Sequence, residues 1–333
     1  MNYIGSKHRL SAWLKQEIKK KIGKDLSNKI FCDIFAGTGA VAKAFKSDVK
    51  SIICNDIEYY SYVLNQNSIN NHVEIKDANS FIEELNNLTP ISDGFIYQNY
   101  CLGSGSGRCY FSDENGQKID TIRAKIEEWH REKIVHDNLY FFLLASLLKS
   151  ADKIANTTSV YCSFLKELKT VAKQKFILKA DKFIYTKNTH RVYNQDANEL
   201  IKTIQGDILY LDPPYNQRQY GANYHILNTI ALHDNFTPKG KTGLREYHHS
   251  LYSKKSKVHD NLEDLIKNAD FTYIFLSYNS EGFLSKKAIK EILQKHGKYS
   301  FAKKEYKKFH TLVTEDNKAE KTYEYLHILE KTR

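Results

Sequence analysis

The sequence predicts an α/β protein: a parallel sheet with a mostly helical segment inserted into it. Three observations lead there. The apolar run Lys29 to Phe35 ends at Gly37-Thr38-Gly39, is followed by the helix-favouring stretch Ala40 to Phe45, and then by a second apolar run, Val49 to Cys54. Strand, glycine turn, helix and strand is how a parallel sheet begins. The alternation breaks from about residue 80 to 188, where helical patterns and loops replace it, and it resumes near Arg191.

The elements follow in order. Leu10, Trp13, Leu14, Ile18 and Ile22 recur at three- and four-residue steps and predict an amphipathic helix over 9–22. The two apolar runs give strands, the second ending at Asn55-Asp56. In the middle, Gly103-Ser104-Gly105-Ser106-Gly107 reads as a loop. Ile119, Ile122, Ile126 and Trp129 mark one face of a helix, and residues 137–154 form another, apolar over much of its surface. This segment is expected to have its own small core. Arg191 to Asn194, 207–212 and Phe271 to Ser277 read as strands, 197–204 and 285–296 as helices, and 299–307 with 323–330 as a β pair. A chain of 333 residues accommodates one large domain with an insertion, here divided as 1–80 plus 189–333 around 81–188.

Composition narrows the class. Lys and Arg number 50 against 39 Asp and Glu, a net charge of +11, and a basic surface attracts polyanions, nucleic acid above all. The longest strongly apolar run, Leu139 to Leu148, falls far short of the ~20 residues of a membrane span. With no apolar core near Met1, a cytosolic protein is expected. The five cysteines, Cys32, Cys54, Cys101, Cys109 and Cys162, form no C-x-x-C pair, so neither a disulfide framework nor a zinc site is expected. The adjacent His248-His249 pair lacks the helical spacing of metal ligands, and no metal site is expected there either.

Asp33-Ile34-Phe35-Ala36-Gly37-Thr38-Gly39 is the first candidate site. Glycines after a strand let a ligand approach the main chain, and the third glycine of a dinucleotide fingerprint is missing. An acid four residues ahead of the turn suits an ammonium group, and Asp56, at the end of the next strand, stands where an acid binds ribose hydroxyls. A nucleoside carrying an amino acid fits these three features, and S-adenosylmethionine is such a molecule.

The second is Asp212-Pro213-Pro214-Tyr215, which ends a buried-looking strand and uses two of the chain's four prolines. The prolines fix their φ angles and donate no N–H, leaving a stiff loop with carbonyl and carboxylate acceptors and a flat ring. That combination suits a planar base bearing an –NH2 group, adenine or cytosine.

Together these motifs resemble the bacterial DNA adenine methyltransferases with a D-P-P-Y motif, the Dam-like α group. Tyr3-Ile4-Gly5-Ser6-Lys7 resembles that family's N-terminal cofactor motif, with Tyr3 and Lys7 near the cofactor. Asp33, Phe35, Gly37 and Gly39 resemble the methionine-binding loop, Asp56 the ribose-binding acid, and Asp196 the acid that holds the cofactor's adenine amino group. Asp212, Pro213, Pro214 and Tyr215 match the catalytic motif in full. Ser277-Tyr278-Asn279 resembles a later motif beside the active site. The resemblance implies a Rossmann-like S-adenosylmethionine-dependent methyltransferase sheet, with 81–188 as target-recognition region. It also implies methyl transfer to the exocyclic amine of a flipped-out adenine in double-stranded DNA, in the bacterial cytoplasm on the nucleoid. A restriction-modification system with a cognate endonuclease, or an orphan methylase, is the implied setting.

Base flipping costs a few kcal/mol, so basic residues must supply phosphate contacts. The candidates are Lys239, Lys241, Arg245, Lys254 and Lys255, in a basic segment interleaved with Tyr247, His248, His249 and Tyr252, together with Arg218 and, in the insertion, Arg108 and Arg123, these two for base or phosphate contact. A plain solvated loop is the competing reading of that segment. Among functions, RNA and protein-glutamine methyltransferases often carry N-P-P-Y, and cytosine-amino methyltransferases S-P-P-Y. A non-catalytic DNA-binding protein on the same scaffold and a nicotinamide-dependent oxidoreductase are the remaining alternatives.

Overall fold

The computed structural model describes residues 3–307 and 321–332. Among them, β1 (Ile30–Asp33), β2 (Ser51–Asn55), β3 (Arg191–Tyr193), β4 (Gln205–Leu211), β5 (Asp270–Asn279), β6 (Gly297–Lys307) and β7 (Lys321–Lys331) form one sheet in the order β3-β2-β1-β4-β5-β7-β6. The first five are parallel, and β7 runs antiparallel to both β5 and β6. The order β3-β2-β1-β4-β5 is that of a Rossmann-like doubly wound sheet.

In chain order the helices are α1 (Ser11–Ile22), α2 (Ala40–Phe45), α3 (Tyr59–Asn65), α4 (Ala78–Asn87), α5 (Phe95–Tyr100), α6 (Asp113–Arg131) and α7 (Asp137–Ile154). They continue with α8 (Ala197–Leu200), α9 (Tyr220–Asn223), α10 (His225–Leu232), α11 (Val258–Asn268) and α12 (Lys286–Gln294).

Both faces of the central strands are apolar because both are covered. Phe31, Ile52, Ile208, Tyr210 and Phe275 pack with α1 and α2 on one side, and Phe31 stacks on Phe45 at 4.4 Å. Their strand neighbours Cys32, Ile53, Leu209, Leu211 and Ile274 pack with α8, α11 and α12 on the other.

The expected elements are present with shifted ends. The first helix starts at Ser11, after a 3-10 turn over Lys7–Arg9. The helix expected over 197–204 is only Ala197–Leu200, and the chain continues in turns, the N–H groups of Lys202 and Thr203 donating to the carbonyls of Glu199 and Leu200. The expected break near residue 80 falls inside α4. Helices α3, α9, α10 and α11 had no counterpart in the sequence reading.

The inserted segment does not keep a separate core. Helix α7 is buried over most of its circumference, so α6 can cover only part of it. The rest packs on α3 and α10, and residues such as Tyr60, Leu64, Tyr224 and Ile230 join Ile122, Leu143 and Leu147 in one cluster. Burial area favours this arrangement, since a helix apolar all round must be enclosed on every side. Ser112 caps α6 by accepting from the N–H of Asn115, with Asp113 and Glu114 in the first turn and His130 and Arg131 in the last, each complementing the helix dipole.

Candidate active site

In a doubly wound sheet a crevice opens where neighbouring strands send their connections to opposite faces, here between β1 and β4. A cleft of about 1030 Å3, open to solvent, lies at these strand ends. Tyr3, Lys7, Asp33, Phe35, Gly37, Asp56 and Asp196 line it together with Asp212 and Pro214. Residues from the N-terminal segment, two strand ends and two later loops thus meet in one place.

The glycine loop is set by its backbone. Gly37 and Gly39 have φ of 51° and 71°, and a Cβ on Gly39, the N-cap of α2, would lie 2.0 Å from Oδ1 of Asn65. Only glycine fits there. Asn65 fastens the loop by donating from Nδ2 to the Gly37 carbonyl at 2.9 Å. Asp33 is buried, and its Oδ2 accepts from the N–H of Ala42 at 3.2 Å. Its Oδ1 has no hydrogen-bond partner among the described residues. Burial, with repulsion from Asp212, pushes its carboxyl up to about 8 against the Ala42 bond. Asp56 accepts from the N–H groups of Gly37 (2.7 Å) and Glu58 (2.9 Å), and burial raises it to about 6 in spite of them. Asp196 is exposed and caps α8, its Oδ1 accepting from the N–H of Asn198 at 2.8 Å.

Tyrosines hold the N-terminal segment. Tyr3 stacks on Tyr224 at 4.6 Å and meets the Tyr60 hydroxyl at 2.9 Å, while the Ile4 N–H donates to the Tyr224 hydroxyl. Lys7, thereby buried, donates from Nζ to Oδ1 of Asp212 at 2.8 Å and lies 3.3 Å from Oε1 of Glu324. Burial works against its charge, but Asp212 and Glu324 outweigh it and hold the ammonium well above the usual lysine range. Asp212 is pushed up to about 6 by burial, against the pull of Lys7 and with added repulsion from Glu324. Pro213 is buried and Pro214 half-buried. The Tyr215 carbonyl accepts from the N–H of Phe283 at 2.9 Å, and the Tyr215 ring meets Tyr278 edge-on at 6.2 Å.

The expected DNA contacts divide. Lys239, Lys241, Lys254, Lys255 and Arg218 are exposed. Arg123 is 3% exposed. Its guanidinium donates to the carbonyls of Ile230 and Ala231, at the end of α10, and pairs with Glu127 at 2.8 Å. It ties α6 to α10 and leaves nothing for a phosphate, a correction to the sequence reading. Arg245 pairs bidentately with Asp234 over the ring of Phe236. Arg108 donates to the carbonyls of Asn99, Gly240 and Lys241. Both brace loops. Arg123→Ala is therefore expected to destabilise the fold by about 2–4 kcal/mol, through stranded carbonyls and the lost pair. The salt dependence of DNA binding stays unchanged. Urea unfolding and titrations at several salt concentrations check the two halves.

Sequence reasoning missed three site residues. Glu58 lines the cleft and accepts from Nδ2 of Asn228 at 2.7 Å. Burial and the charge of Asp56 raise it to about 7. Asn65 holds the glycine loop, and Glu324 shares Lys7. No group of three or more His, Cys, Asp or Glu among the described residues is arranged to hold a metal ion.

Residues 3–292 match the family model described as D12 class N6 adenine-specific DNA methyltransferase. The chain is 57% identical, over 334 residues and the whole of both chains, to the Type II methyltransferase M.NlaIII of Neisseria lactamica. It is 36% identical, over 94% of each chain, to the Type II methyltransferase M.CviAII of Paramecium bursaria Chlorella virus 1. The Type II methyltransferase M.FokI of Planomicrobium okeanokoites is 37% identical over 99% of this chain, which spans 53% of that longer protein. With the D-P-P-Y loop at the switch point of a Rossmann-like sheet, these matches establish that the chain belongs to the D12 class of N6 adenine-specific DNA methyltransferases.

Proposed function

We propose that the cleft holds S-adenosylmethionine and that the Asp212–Tyr215 loop grips the amine of an adenine flipped out of duplex DNA. The observation that carries this reading is the pairing of Lys7 with Asp212 beside the glycine loop. The donor set fits the cofactor. Asp33, Asp56, Glu58, Asp212 and Glu324 bring carboxyls to a site where Lys7 supplies the ammonium, and such a surplus favours a ligand bearing positive charge. The unpartnered Oδ1 of Asp33 suits an ammonium, Asp56 the ribose hydroxyls and Asp196 the adenine amine. Gly37 and Gly39 shape the loop beside that ligand, and the side chains of Phe35 and Tyr3 line the cleft around it. When bound, S-adenosylmethionine supplies an electrophilic methyl group.

The protein's residues do the rest. An adenine N6 is a poor nucleophile because its lone pair is delocalised into the ring. Asp212 and the Pro213 carbonyl accept its two N–H bonds, which localises that lone pair and stabilises the charge that develops on nitrogen. Pro213 and Pro214 keep those acceptors in place, and holding both reactants in line supplies much of the remaining acceleration. Asp212 then accepts the departing proton. Tyr215 stacks on the extruded base and returns roughly 1–3 kcal/mol of the flipping cost. Lys239, Lys241, Lys254, Lys255 and Arg218 supply phosphate contacts, and residues 81–188 read the target. The Type II designation of its relatives supports a cytoplasmic restriction-modification system with a cognate endonuclease as its setting, an orphan methylase being the alternative.

Tyr215→Ala tests the base-holding step. Its complex with duplex DNA is expected to weaken by about tenfold, from the loss of stacking, while cofactor affinity stays within about twofold. Titration of DNA carrying 2-aminopurine at the target position reads the flipped state. A wild-type fluorescence rise with unchanged DNA affinity would remove Tyr215 from this role.

A further inference from the structure

Lys7 is shared between two carboxylates, and only one belongs to the D-P-P-Y loop. The other, Glu324, is 1% exposed and shares a face of β7 with the buried Leu326 and Ile328. Its Oε1 lies 3.3 Å from Lys7 Nζ and accepts from the hydroxyl of Ser277 on β5. Burying a carboxylate is costly unless it is paired and hydrogen-bonded. Among the described residues, the cation that pairs Glu324 is the ammonium that also faces Asp212.

We propose that Glu324 is a positioning residue for methyl transfer, acting through Lys7 to keep the Asp212 carboxylate a strong acceptor for the substrate amine. The inference rests on the reading of Asp212 given above. One ammonium between two carboxylates leaves the trio with net negative charge. Without the charge of Glu324 the ammonium belongs to Asp212 alone, and a carboxylate fully paired with an ammonium is a weaker acceptor and a weaker stabiliser of positive charge on nitrogen. The second anchor also restrains the flexible lysine stem, and Ser277 fixes the anchor itself. The other groups that face Asp212 electrostatically are Asp33 of β1, Tyr210 of β4, Tyr215 of the loop and Tyr220 of α9. Of the groups around Asp212 among the described residues, Glu324 is the one whose carboxylate is ion-paired with Lys7.

Glu324→Gln keeps the shape and still accepts from Ser277. Its single-turnover methylation of duplex DNA at pH 7.5 is expected to fall roughly ten- to a hundredfold, with cofactor and DNA affinities within about twofold of wild type. Removing a like charge lowers the pKa of Asp212, so the acid limb of the rate profile moves to lower pH by about half a unit or more. A merely structural role would lower stability and leave the limb in place. In a Lys7→Met background the same substitution is expected to cost much less, because the part of its effect carried by Lys7 is already lost. Glu324→Asp restores part of both rate and limb. A Glu324→Gln profile that superimposes on wild type would overturn the proposal, as would a loss that persists in full without Lys7. Asp212→Asn, measured alongside, separates the two readings. If it transfers methyl groups at the wild-type rate, the role of Asp212 fails. If it is inactive while Glu324→Gln behaves as wild type, only the role of Glu324 falls.

Discussion

Asp212→Ala is expected to abolish methyl transfer, by at least about a thousandfold in single turnover, while binding of S-adenosylmethionine stays within a few fold of wild type. The size follows from what the side chain does. Removing one preorganised group that stabilises charge in a water-poor site costs on the order of a hundred- to a thousandfold, and Asp212 is both that group and the acceptor of the departing proton. Binding survives because Asp33, Asp56 and Asp196 stand on other elements and are left intact. Lys7 keeps a partner in Glu324, so the substitution does not strand a buried ammonium. Burial holds the Asp212 carboxyl up at about 6, so the wild-type rate should fall as pH drops through that value and the acceptor takes up a proton. Rapid-quench transfer of labelled methyl groups gives the rate, and calorimetry gives the affinity. Substantial transfer by Asp212→Ala would place the chemistry on another group.

The sheet and its two motifs were legible because strong local signals and global burial agree there. The alternating strands of β1, β2, β4 and β5 are apolar on both faces, and the D-P-P-Y loop follows a strand end directly. Helices α9 and α10 were not legible because Tyr220 to Leu232 mixes Tyr, Asn, His and Thr with apolar residues. Its polar side chains are spent inward: Asn228 on Glu58, and His225 on the Tyr161 carbonyl. Arg123 looked like a DNA contact because charge in a sequence says nothing about which carbonyls await it. Glu324 did leave a signal. In Lys321–Lys331 the period of two puts Glu324 on one face with Leu326, Ile328 and Glu330, and an acid next to two core positions needs a partner if it is buried with them. Finding that Lys7 is the partner required the fold, since 316 residues of chain lie between the two.

Binding of S-adenosylmethionine near pH 7 is expected to release roughly one proton from the protein. In the free protein burial and the charge of Asp212 raise Asp33 to about 8, so at pH 7 about nine-tenths of these carboxyls carry a proton. A cation placed against the unpartnered Oδ1 favours the carboxylate and drives that proton off. Because the ligand prefers the ionised form, affinity rises with pH up to the free-state pKa and falls below it, by at most about tenfold per unit for one proton. The α-ammonium of the ligand stays charged at about pH 7 and below. Asp56 and Glu58, raised by burial to about 6 and 7, add to the slope only as far as bound charge reaches them, and Asp33→Asn isolates the main contribution. That variant keeps the shape but has no proton to lose, so its affinity should be weaker and nearly flat with pH. Calorimetry in buffers of different ionisation enthalpy counts the protons directly. A count near zero for the wild type, or an undiminished count in Asp33→Asn, would mean that the buried acid of β1 does not face the ligand's positive charge.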